Sequence, residues 1–176
     1  GSVATGPSSG LALPLPHGGE RVVVAIGGSA LGTPAAAAGG RALLSDDAGA
    51  SWSLSGLANA QGGEARVPFA PNGSLLLNAR GQRQGVRQQS VSDDAGATWS
   101  APRVLDFGFG SSCEGSLVRG GGGDLLFSHP GRINDTIGRY ARAGHGSGPV
   151  PSPLCIALWC RWNMTVWRSA DSGAAW

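Results

Sequence analysis

Eight residues recur three times in this chain of 176, and no other feature constrains its fold as tightly. Ser45-Asp46-Asp47-Ala48-Gly49-Ala50-Ser51-Trp52 returns as Ser92-Asp93-Asp94-Ala95-Gly96-Ala97-Thr98-Trp99. It returns again as Ser169-Ala170-Asp171-Ser172-Gly173-Ala174-Ala175-Trp176, so the shared pattern is Ser-x-Asp-x-Gly-x-x-Trp. At residue usages of a few per cent per position, one chance match has odds of about one in 10⁵. Three copies therefore mark a repeated supersecondary unit. Each follows a strand-like segment: Arg41–Leu44, Val86–Val91 and Met164–Arg168. The octapeptide reads as a turn between strands, with an Asp or Ser side chain accepting backbone N–H bonds and Gly supplying a positive φ. The closing Trp is expected to plug the space between neighbouring sheets.

Further strand candidates are Arg21–Ile26, Ser74–Ala79, Ser116–Arg119 and Asp124–Ser128, and no segment carries a helical period. Short strands in sets of about four, repeating near every 50 residues, describe β-propeller blades. Asp47 and Asp94 stand 47 residues apart, but Asp94 and Asp171 stand 77 apart. The excess of 30 matches the segment 131–160, which is rich in Gly and Pro and holds the only tyrosine, Tyr140. That segment reads as an insertion in one blade, or as non-coding sequence carried into the frame. The chain then holds about three blades.

Composition removes several other classes. All 13 basic residues are Arg, against 11 acidic ones, and a net charge of +2 is too weak a field to suggest nucleic acid. With 41% hydrophobic residues and six Trp, the chain is not of the disordered kind. Its 31 glycines lack a three-residue period, which excludes collagen and points to tight turns. The longest apolar candidate, Leu154–Trp159, falls far short of the ~20 residues a membrane span needs. Cys113, Cys155 and Cys160 are too few for a disulfide framework and lack zinc-ligand spacing. A Cys155–Cys160 pair would need an oxidising compartment. Gly1–Gly10 shows neither the charged nor the apolar region of a signal peptide. The expectation is a protein that is not secreted, or a chain that is not a complete translation product.

The octapeptide resembles the Asp box of the sialidase (neuraminidase) family, whose fold is a six-bladed propeller. In that family the boxes lie on outer turns, which implies a non-catalytic role for Asp47, Asp94 and Asp171. The segments between the boxes narrow the likeness. Gly63-Glu64 stands before Gly73-Ser74-Leu75-Leu76-Leu77-Asn78-Ala79-Arg80-Gly81-Gln82, with 16 residues from Glu64 to Arg80. This is similar to the sialidase segment in which a glutamate precedes an "Asn-Ala-Arg" strand. Cys113-Glu114-Gly115-Ser116-Leu117, followed by Leu125-Leu126-Phe127-Ser128-His129-Pro130, resembles "Cys-Gln-Gly-Ser … Leu-Phe-Ser-Asn-Pro". Arg161-Trp162-Asn163-Met164-Thr165-Val166 resembles the "Arg-x-Asn-x-Thr" strand that leads into a box. The likeness runs from about Gly10 to Trp176, interrupted by 131–160, and looks closest to the animal lysosomal type.

This resemblance implies an all-β, six-bladed sialidase-type propeller and a retaining exo-α-sialidase activity. A sialoside carries a carboxylate on its anomeric carbon, and Arg offers a fixed cationic fork that can bind it bidentately. Sialidases use three such Arg, and the resemblance places two here, Arg80 and Arg161, with Arg132 in Arg132-Ile133-Asn134-Asp135-Thr136 competing for the second role. Glu64 is implied as the catalytic glutamate that draws the proton from a tyrosine nucleophile. Glu114 is implied as substrate-binding, at a position where the family often has Gln. The first triad Arg and the acid/base Asp should precede Gly1, and the nucleophilic Tyr should follow Trp176. Tyr140 lies in the insertion and does not take that role. The chain is therefore expected to be an internal fragment, inactive alone.

No metal or organic cofactor is implied, and the partner is a sialylated glycan. Three sequons begin at Asn72, Asn134 and Asn163. With the lysosomal likeness they favour a lysosomal or secretory location, the alternative being cytoplasmic or membrane-associated. Two other functions stay open: a non-catalytic Asp-box propeller acting as a binding or scaffold module, and a different Asp-box glycosidase with paired carboxylates. Glu20, Glu64 and Glu114 are the only glutamates available to the second.

Overall fold

The computed structural model describes residues 3–5, 10–28, 39–58, 65–80, 87–105, 114–130 and 164–176. They form three antiparallel sheets that follow one another along the chain. The first contains β1 (Val3–Thr5), β2 (Leu11–Pro14), β3 (Glu20–Gly28), β4 (Arg41–Ser45) and β5 (Ser53–Leu54). The second contains β6 (Ala65–Arg66), β7 (Leu75–Arg80), β8 (Arg87–Ser92) and β9 (Arg103–Leu105). The third contains β10 (Ser116–Arg119), β11 (Leu125–Pro130) and β12 (Met164–Ser169). Each is a meander of sequential neighbours, with β1 and β2 both lying along β3. Among the described residues there is no helix, and none long and apolar enough to cross a membrane. The segment 131–160, expected from sequence to be an insertion, lies outside the described residues.

The strands foreseen from sequence match β3, β4, β7, β8, β10, β11 and β12 to within a residue or two. Five others, β1, β2, β5, β6 and β9, have two to four residues each, too few to display an alternating pattern.

The run Leu75-Leu76-Leu77 explains how the sheets are arranged. Side chains alternate across a strand, so a run apolar at every position marks a strand buried on both faces. Leu75, Leu77 and Ala79 pack with Val23, Ala25, Ala42 and Leu44 of the first sheet. Leu76 faces the other way, packing with Leu117, Leu125 and Phe127 of the third. The second sheet is therefore sandwiched between its two neighbours.

The repeated octapeptides are built alike. The hydroxyls of Ser45, Ser92 and Ser169 are buried; each accepts the N–H of Gly49, Gly96 or Gly173 at 2.8 Å. Each hydroxyl donates in turn to Asp47, Asp94 or Asp171 at 2.7–2.8 Å. The same carboxylates accept the N–H of Ser51, Thr98 or Ala175 at 2.8 Å. Ala48, Ala95 and Ser172 hold φ of 56–58°, and the glycine after each holds 87–91°. A side chain on Gly96 would stand 3.3 Å from Leu44 and 3.4 Å from Leu75, so this glycine is required for both its φ and its close approach.

Removing the central serine strands a buried donor. Ser92→Ala is expected to cost about 1–3 kcal/mol because the Gly96 N–H loses its acceptor in the core. The check is the midpoint shift in urea unfolding.

Hydrogen bonding also lowers the three carboxyl pKa values. The Ser51 side chain and N–H, with Ser45, pull Asp47 from its ordinary 3.8 down to about 2. For Asp94, burial acts upward, but the Thr98 side chain and N–H with Ser92 outweigh it. The Ala175 N–H and Ser169 lower Asp171, which has an alanine where the other turns have a hydroxyl. A depressed folded pKa stabilises above the unfolded pKa and is lost as pH falls through the folded one. Thermal stability is therefore expected to fall between about pH 4 and pH 2 through these groups. Asp47→Asn should flatten the lower part of that fall in a pH series of melting curves.

The second and third turns dock onto the preceding sheet. Ala97 C=O accepts the Gly56 N–H at 2.9 Å, and Trp99 Nε1 donates to Ser55 Oγ at 3.2 Å. Gly173 C=O accepts Gln89 Nε2 at 3.0 Å, and Ala174 C=O accepts Arg103 Nη1 at 2.6 Å. Trp99 and Trp176 pack partly buried against the two inter-sheet cores, as expected. Trp52 does not: it stays 47% exposed, its Nε1 turned back onto Gly49 C=O at 3.0 Å. The first turn belongs to the first described sheet, so among the described residues no preceding sheet meets it.

Candidate functional site

The antiparallel register sorts the residues to two ends of the blades. Val22 pairs with Ser45, Leu75 with Ser92 and Leu125 with Ser169, so all three octapeptide turns leave from the equivalent end of their sheets. At the other end Arg80 pairs with Arg87 across β7 and β8, and Arg66 on β6 pairs with Asn78 on β7. Arg66, Asn78, Arg80 and Arg87 share the face of the second sheet that turns toward the third, by alternation with Leu76. Three guanidiniums thus occupy one end of one sheet face.

Each is held differently. Arg66 reaches the third sheet, its Nη2 forming an ion pair with Glu114 at 2.6 Å and its Nε donating to Gly115 C=O at 3.2 Å. Arg87 is buried; its Nε donates to Asn78 Oδ1 at 2.6 Å and its guanidinium sits 4.9 Å above the Phe127 ring. Phe127 stacks on His129 at 5.7 Å and meets Trp176 edge-on at 6.0 Å. Arg80, the last residue of β7, is half-buried.

Of the residues singled out from sequence, Arg80 and Glu114 are brought to this end, Glu114 already engaged by Arg66. Glu64 and Arg161 lie outside the described residues, as do Arg132 and Tyr140. Sequence reading missed Arg66 and Arg87. Arg66 stands two residues after Glu64 in sequence, and Arg87 is a charge opening an otherwise buried strand. Among the described residues no group of three metal-ligating side chains is present. A cavity of about 210 Å³ lies between β9 and the third turn, lined by Arg103, Leu105, Trp167 and Trp176. The strand β8 lies between β9 and the strand that carries Arg80, and among the described residues the cavity is lined by no nucleophile or paired carboxylate.

A cluster of arginines facing an ionic partner, on a stacked-sheet scaffold, is suited to binding a small anion. Guanidinium forks match a carboxylate in geometry as well as charge.

No family model matches the chain. A sialidase of Bacteroides fragilis (strain YCH46) is 32% identical to it, over 76% of this chain and 22% of that protein. Among solved structures, a Hadza microbial sialidase matches 99% of this chain and 29% of its own, with TM-score 0.64 and 22% identity. The intramolecular trans-sialidase from Ruminococcus gnavus, solved with oseltamivir carboxylate, matches 74% of this chain and 27% of its own, with TM-score 0.59 and 25% identity. The chain spans between a fifth and a third of the length of these relatives. The three sheets are thus about three blades of a β-propeller of the six-bladed sialidase type.

Proposed function

We propose that the chain is an internal part of an exo-α-sialidase, acting by a retaining mechanism on terminal sialic acid of glycoproteins, oligosaccharides and gangliosides. The observation that carries this reading is Arg80, set among Arg66 and Arg87 at the blade end opposite the repeated turns. In this reading the octapeptides are Asp boxes, whose side chains are spent on their own backbone and on inter-blade docking. Arg80 and Arg161 bind the sialic acid carboxylate, with Arg132 as the alternative to Arg161. Glu64 draws the proton from a tyrosine supplied by another part of the protein, which then forms the glycosyl intermediate. Glu114 borders the substrate, and its ion pair with Arg66 offsets the repulsion that its charge would exert on the substrate carboxylate. The partner is a sialylated glycan. The lysosomal likeness and the sequon at Asn72, an exposed turn residue, support a lysosomal or secretory location.

Hydrolysis of a fluorogenic α-sialoside tests the proposal. The 176-residue chain alone is expected to give no turnover, and the same chain within a complete ring is expected to turn over and to lose activity in Arg80→Ala. Glycan capture by the complete ring without turnover would favour a scaffold instead. Turnover by the chain alone, abolished by Arg80→Ala, would place the nucleophile inside it, and Tyr140 would be the first residue to replace.

A further inference from the structure

We infer that Arg87 is a positioning residue for Arg80, a buried and immobile cation that directs the substrate-binding guanidinium toward the open end of the blades; this rests on the sialidase reading of Arg80. The two arginines are direct partners in the β7–β8 register. Like charges at directly opposed positions repel, so a cation held at one position biases where its partner can point. Arg87 is held in place. It is 3% exposed, its Nε donates to Asn78 Oδ1 at 2.6 Å, and its Cζ lies 4.9 Å from the centre of the Phe127 ring.

Asn78 makes the coupling direct, because it lies two residues before Arg80 on the same strand and the same face. Its Oδ1 is committed to Arg87, and among its own atoms Nδ2 is left buried with no hydrogen-bond partner. A buried amide in that condition is tolerated where the bond it does make is needed. Phe127 belongs to β11 of the third sheet, so the seat of Arg87 also registers the second blade against the third. A rigid Arg80 loses less rotamer freedom on binding a carboxylate than a mobile one does.

The test is N-acetylneuraminate titration of the 176-residue chain, followed through the arginine Nε–Hε resonances, with melting temperature recorded in parallel. The Arg80 resonance is assigned by its disappearance in Arg80→Lys. In Arg87→Gln the dissociation constant is expected to rise roughly tenfold, the scale of one charge-assisted hydrogen bond. The Arg80 resonance should collapse to the unstructured position, and Arg87→Lys, which keeps the charge, should recover most of the affinity. A folded Arg87→Gln chain that binds as the parent does, while Arg80→Ala does not bind, would make Arg87 a structural lock only and overturn the inference. Should Arg87→Gln fail to fold, Asn78→Ala removes the same hydrogen bond, and unchanged binding there overturns it equally. Binding that survives Arg80→Ala would instead remove the reading beneath it.

Discussion

Replacing Arg80 with alanine is expected to weaken sialate binding by roughly 10- to 100-fold, as the loss of charge-assisted hydrogen bonds worth about 1.5–3 kcal/mol requires. Stability should change far less than binding. Arg80 is half-buried and ends its strand, and its Cα partner Arg87 keeps its own seat on Asn78 and Phe127 without it. Removing one of two opposed like charges should relieve repulsion. Binding and stability are therefore predicted to part company at this residue, which separates a ligand-directed arginine from a structural one. Titration calorimetry and a melting curve on the same sample measure both. Arg66→Ala is the contrast: it breaks an ion pair that joins two blades and leaves Glu114 without its cation.

The largest loss of stability is expected from Gly115→Ala. A Cβ at this position would lie 2.5 Å from Phe127 Cε2, 2.6 Å from Phe127 Cζ and 3.0 Å from Ser128 C=O. No φ requirement is involved; the site has no room. Phe127 is fully buried between the second and third sheets and carries Arg87 above it, so its ring cannot swing out without unseating a buried cation. Overpacking of this kind costs about 3 kcal/mol, with a lower melting temperature by roughly 6–12 °C for a chain of this length. Phe127→Leu makes space where the methyl intrudes, so the double variant should lose less than the sum of the two single losses. Additive losses would mean that the two residues are not in contact.

How much of this was legible in the sequence depends on how local the chemistry is. The octapeptide was legible because every bond that shapes it lies within eight residues: Ser45 to Gly49, Ser45 to Asp47, Asp47 to Ser51. The full burial of β7 was announced by three successive leucines. The edge strand β6 was invisible, since Ala65 and Arg66 alone can show no period. The Trp99 and Trp52 positions are identical in sequence and differ in burial: Trp99 meets Ser55 of the preceding sheet, whereas among the described residues no preceding sheet meets Trp52. Non-local pairs were the least legible. Arg66 meets Glu114 across 48 residues, and Arg87 meets Phe127 across an inter-blade boundary. Glu114 was identified from its neighbours Cys113 and Gly115; that its charge is already answered by Arg66 required the fold.

The central claim is that the arginine end of these blades recognises the carboxylate of sialic acid. The most direct measurement is an NMR titration of the ¹⁵N-labelled chain with N-acetylneuraminate and, separately, with its methyl ester, in which the carboxylate is neutralised. The account predicts shifts at Arg80 and at its neighbours Ala79, Arg87 and Glu114 with the acid, and their loss with the ester and in Arg80→Ala. Equal shifts with acid and ester, or shifts confined to the octapeptide turns at the opposite end, would contradict it.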